Sequence, residues 1–110
     1  MITLGRHNCN LIVNAMLAEA KLCLSPAPTR SIDPIRAIDC LYNASWALSG
    51  DRWHCPTTEA LKTAIDTAMQ TLRGGVTPRS SAFVALTHLQ AIDSNFPDWE
   101  AKEDAWIEAQ

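Results

Sequence analysis

The sequence predicts an all-α protein, a compact bundle of four to five short helices. Three observations carry this. Five stretches repeat apolar residues at three- and four-residue steps, the period of an amphipathic helix. Proline, glycine and serine interrupt the chain between those stretches. The one short run that suits a strand, Ala82 to Leu86, has no partner strand elsewhere.

The first helix is expected over Asn8 to Leu24, where Cys9, Ile12, Val13, Met16, Ala20 and Cys23 form a stripe, with Asn10, Asn14, Glu19 and Lys21 off it. The segment SPAPTRS, from Ser25 to Ser31, ends it, because two closely spaced prolines cannot continue a helix. Asp33 is a capping residue, and Pro34 suits the first helical position, where its missing N–H costs nothing. Ala37, Ile38, Leu41, Ala44, Ser45 and Leu48 give the second helix its buried face, and Gly50 stops it. The third follows Pro56-Thr57-Thr58, with a threonine expected as its cap. Its stripe is Leu61, Ala64, Ile65, Ala68, Met69 and Leu72, closed by Gly74-Gly75. Thr77-Pro78 opens the fourth, with Ala82, Ala85, Leu86, Leu89 and Ile92 on one side. The fifth runs from Pro97 to Ala109 and begins with Asp98 and Glu100, acids that suit a helix N-terminus.

At 110 residues the chain reads as one domain, residues 1–110, large enough to bury its own core. Ala-Ile-Asp recurs at residues 37, 64 and 91, but at different points along its helices, so it marks no structural repeat. Apolar residues make up 47% and charged residues 19%, a globular mixture. The nine basic residues are scattered and the net charge is −3, so no cationic patch points to nucleic acid. No apolar stretch is long enough to span a membrane, and the N-terminus lacks a signal-peptide pattern, so the expectation is a cytoplasmic protein with no membrane partner. Cys9, Cys23, Cys40 and Cys55 are then expected to be reduced. Cys9 and Cys23, about 21 Å apart on one helix, are too distant to pair.

GDRWHCP, from Gly50 to Pro56, sets an acid, an arginine, a tryptophan, a histidine and a thiol side by side. Adjacent His54 and Cys55 are poorly spaced as zinc ligands, which need one turn of backbone between them to converge on an ion. A cysteine nucleophile would need an orienting base and an oxyanion loop, and neither has a motif here. Gly74-Gly75 lacks the lysine and hydroxyl of a phosphate loop. The expectation is therefore a protein with no catalytic residues, no metal and no cofactor.

The last helix is the most unusual segment. Asp98 to Gln110 carries five acids and one lysine, a net of −4 against +1 for the other 97 residues. Phe96, Trp99 and Trp106 recur on one face, followed by Ile107. Such a stripe either closes the core of its own domain or serves as a set of aromatic anchors with an acidic rim. On the second reading Phe96, Trp99, Glu103, Trp106 and Ile107 bind a partner protein. The functional expectation is a small bacterial or phage regulatory protein, an antiactivator or inhibitor that masks a partner's surface. A homodimer through the stripe of helix one or through the C-terminal helix is the companion expectation. The alternatives are a small-molecule-binding domain with a pocket lined by Met16, Met69 and aromatics, and a metal- or DNA-binding regulator.

Overall fold

The computed structural model describes residues 5–28, 31–49, 55–75 and 77–110. They form five α-helices: α1 (Arg6–Leu24), α2 (Pro34–Ala47), α3 (Pro56–Gly74), α4 (Pro78–Asn95) and α5 (Trp99–Glu108). Among the described residues there is no strand, so Ala82–Leu86 belongs to α4.

Local chemistry sets most helix ends. The Asp33 carboxylate accepts from the Arg36 N–H at 3.1 Å, and Pro34 occupies the first helical turn. Thr77 does the same for α4, accepting from the Ser80 N–H at 3.3 Å. The start of α3 differs from expectation: Cys55 is the N-cap, without a side-chain cap bond, and Pro56 follows it. Thr58 lies inside the helix, fully buried, with its hydroxyl committed elsewhere. Helix α1 begins two residues before Asn8, because Gly5 in extended conformation, not Asn8, precedes the first turn.

The first four helices pack in a ring, α1 on α2, α2 on α3, α3 on α4 and α4 on α1, while α5 lies mainly against α3. The Asp33 N–H donates to the Cys23 carbonyl at 2.8 Å, and Arg36 pairs with Glu19 at 3.2 Å, so α2 folds straight back along α1. The core is built from Val13, Leu17, Ala20 and Leu24; Ala37, Leu41 and Ala44; Leu61, Ile65 and Ala68; Ala82, Ala85, Leu89 and Ile92; and Trp99. Each fully buried Leu or Ile in it contributes about 1.5–3 kcal/mol relative to exposure. The many alanines let the helix axes approach closely.

Helix α1 is rotated relative to the expected stripe. Leu17 and Asn10 are buried, while Cys9, Ile12 and Met16 only pack against the edge of the core. All four cysteines are free; Cys23, Cys40 and Cys55 are buried and Cys9 half-buried. At the α3–α4 turn the Ser81 hydroxyl occupies the place a side chain on Gly75 would take, so only glycine fits there.

Candidate protein-binding surface

Helix α5 does not present its aromatic stripe as one surface. Trp99 is 6% exposed and belongs to the core, with Phe96 packed against it from the α4–α5 turn. Glu103 is 2% exposed. Trp106 and Ile107 are half-buried. Of the five residues expected to bind a partner, Trp99 and Glu103 are therefore buried within the chain, and neither lies on an accessible face.

The physical reason is a buried carboxylate. Glu103 Oε1 accepts from Arg6 Nη1 at 2.9 Å and from Asn10 Nδ2 at 3.2 Å, and its Oε2 accepts from Thr58 Oγ1 at 2.7 Å. Burying a charge is tolerated only when it is paired and hydrogen-bonded, and here α1 and α3 supply the donors. Asn10 and Thr58 are drawn inside for the same reason, at 2% and 1% exposure. Arg6 also meets Asp104 at 2.6 Å. Glu103, reinforced by Asp104, holds the Arg6 guanidinium above its ordinary pKa despite partial desolvation. Asn14 donates to Glu100 at 2.5 Å, so three side chains of α5 face α1. The acidic character of α5 thus fastens the helix to its own domain.

The exposed apolar surface lies elsewhere. On α2, Ile35 is 75%, Tyr42 57% and Trp46 60% exposed. They stand seven and four residues apart, so all three project from the side opposite the buried Ala37, Leu41 and Ala44. This exposed face is a feature that sequence reasoning passed over. Its signal was present: once the core stripe of the second helix is assigned, an isoleucine, a tyrosine and a tryptophan remain at helical spacing on the other side.

The remaining candidates carry less. An apolar groove of about 740 Å³ lies between the end of α1 and the start of α4, lined by Leu24, Ile32, Ala82, Phe83 and Leu86. Smaller clefts of about 340 and 220 Å³ flank Phe96. Met16 and Met69, expected to line a ligand pocket, instead pack on or in the core. In GDRWHCP, Gly50 to His54 lie outside the described residues, and Cys55 is buried at the start of α3. Burial, with Cys23 and Glu19 nearby, pushes the Cys40 thiol pKa up. Among the described residues no three or more His, Cys, Asp or Glu side chains are grouped to hold a metal ion, and no helix is long and apolar enough to cross a membrane.

No protein-family model, curated protein or solved structure matches the chain.

Proposed function

We propose that this protein is a small regulatory domain that acts by binding another protein through the outer face of α2 and masking the surface it covers. The observation that carries the reading is the joint exposure of Ile35, Tyr42 and Trp46 on one side of one helix. Singly exposed apolar residues are common, but a tryptophan and a tyrosine one turn apart, with isoleucine two turns before them, form the kind of cluster that marks contact sites. Tyr and Trp supply large rigid area with little rotamer entropy to lose on binding.

The test is a comparison of tagged wild type with Trp46→Ala and Tyr42→Ala, each used to capture partners from the native host. A protein retained by wild type is then purified and titrated against all three. Weakening of at least tenfold in the variants, with the helical signal unchanged, supports the reading. Equal affinity for all three removes α2 as the binding face.

A further inference from the structure

The exposed strip of α2 carries one charge, and it lies within the strip. Ile35, Asp39, Tyr42 and Trp46 follow four-, three- and four-residue steps, so they share one side of the helix within an arc of about 60°. All four are exposed. The strip is three turns, about 16 Å, long. Several other acids of the bundle are taken up inside the chain: Glu19 by Arg36, Asp66 by Lys62 and Ser45, Asp93 by Lys21, and Glu103 and Asp104 by Arg6. The Asp39 carboxylate has no ion pair or hydrogen bond among the described residues. The nearest cation on its own helix, Arg36, is one turn away and is held by Glu19 at 3.2 Å.

That carboxylate decides among occupants by charge. A purely apolar partner would strip water from Asp39 and give nothing back, the costly case of an unpaired charge. A second copy packed on the same face would bring in two such carboxylates and no spare cation. An acidic partner would add repulsion. A basic side chain removes the penalty and gains from the rings as well. Asp39 and Trp46 stand nearly in line along the helix, with Tyr42 between them and slightly to one side. A guanidinium laid on this strip forks to the carboxylate and stacks its plane on an indole or phenol face. Arginine suits it better than lysine, whose ammonium is a compact, strongly hydrated point charge. The chain's net charge of −3 steers a basic partner toward it in the same sense.

We infer that the partner of α2 presents an arginine, set among apolar residues, that lies over Tyr42 and Trp46 and pairs with Asp39. The inference rests on α2 being the binding face and adds the chemistry of what binds there. Ile35 and the two rings supply contact area, and Asp39 supplies selection: it accepts a cation and disfavours a neutral or acidic residue in the same place. The pair is only partly desolvated, so the preference for arginine over a neutral residue of the same shape is about three- to tenfold.

The probes are three capped, alanine-rich peptides of about 16 residues, long enough to hold a helix. Each carries Leu, X, Leu and Leu at the same four-, three- and four-residue steps, X being arginine, its neutral isostere citrulline, or glutamate. Each is titrated to about 1 mM, the weak end of specific binding, into the isotope-labelled full chain, with amide and indole shifts read by NMR. Wild type is compared with Asp39→Asn, Asp39→Arg and Trp46→Ala. All three positions are exposed, so the variants keep the fold, which circular dichroism verifies. The arginine peptide is expected to shift α2 resonances and to bind about three- to tenfold more tightly than the citrulline peptide, with glutamate weakest. Asp39→Asn equalises arginine and citrulline, Asp39→Arg makes the glutamate peptide the best binder, and Trp46→Ala weakens all three. Equal affinity of wild type for arginine and citrulline overturns the inference. So does an arginine preference that survives in Asp39→Asn, or no binding of any peptide at the highest concentration. A wild-type dimer that Trp46→Ala abolishes overturns it in favour of a second copy. Equal affinities with shifts confined to α2 sink the arginine alone and leave α2 as a docking face. Shifts confined to other helices, with partner capture indifferent to Trp46→Ala, remove both.

Discussion

Replacing Glu103 with alanine is the sharpest test of how α5 is held. The substitution removes a carboxylate that is 2% exposed and takes an acceptor from the Thr58 hydroxyl, the Asn10 amide and the Arg6 guanidinium. Thr58 and Asn10 are almost fully buried, and each lost acceptor costs about 1–3 kcal/mol. The Arg6 side chain is 38% exposed, so water compensates much of its loss and it adds little. The sum is about 2–6 kcal/mol, which brackets the roughly 3–5 kcal/mol for breaking a buried ion pair. Against a typical domain stability of about 5–15 kcal/mol this is a large fraction. With a urea slope of about 1.5 kcal/mol/M, the midpoint falls by about 1.3–4 M. Urea unfolding followed by circular dichroism reads this directly. Glu103→Gln keeps the shape and one acceptor oxygen, so it falls between wild type and Glu103→Ala. Asp104→Ala, at a carboxylate 53% exposed, changes stability by less than about 0.5 kcal/mol. A Glu103→Ala protein within about 1 kcal/mol of wild type would refute the claim that the buried carboxylate fastens α5.

Trp99→Ala, which empties a core position, costs about 3–5 kcal/mol, whereas Trp106→Ala, at a half-buried site, costs less than half as much; thermal unfolding of the pair separates them. The Ser81 hydroxyl is buried with no hydrogen-bond partner among the described residues, so Ser81→Ala is neutral or stabilising by up to about 1–2 kcal/mol in urea unfolding. Gly75→Ala forces that serine to move and destabilises by about 1–3 kcal/mol, an effect reduced in the Gly75→Ala, Ser81→Gly double variant. Cys40 has a raised thiol pKa in the fold, chiefly from burial. Below about pH 8.5 both states keep the proton; above it the unfolded chain releases the proton first, so stability declines as pH rises toward the folded pKa. Cys40→Ala makes that alkaline decline shallower in pH-dependent unfolding.

The all-α bundle was legible because its cues are local. Asp33-Pro34 and Thr77-Pro78 name helix starts through contacts three residues long, and the structure makes both bonds. The core stripes of α2 and α4 were legible for the same reason: one face of each is apolar in sequence and inside in space. What escaped was set by partners distant along the chain. Asn10 and Thr58 look like surface residues until Glu103 arrives from 93 and 45 residues away to accept their hydrogen bonds. Trp99 and Trp106 occupy nearly the same angular position on α5, yet one is core and the other half-buried. Periodicity names a face, and only the length of the neighbouring helices decides how deep each turn of it lies. The α2 face is written in the sequence, but net acidity singles out α5, while Ile35, Tyr42 and Trp46 share their side of the helix with one acid, Asp39.

The bond between Arg6 and Glu103 joins residues 97 positions apart, which has a consequence for the order of assembly. On the ribosome α1 to α4 emerge before the acid that completes their polar seam. Until α5 arrives, Asn10 and Thr58 face an opening that water must fill. The closing contact spans nearly the whole chain and carries the largest loop-closure cost, so it forms late. The same closure brings the start of α1 beside α5, so a short Gly/Ser tether joining residue 110 to residue 5, with new ends opened in the α3–α4 turn, should yield a permuted chain in which the latch is made early.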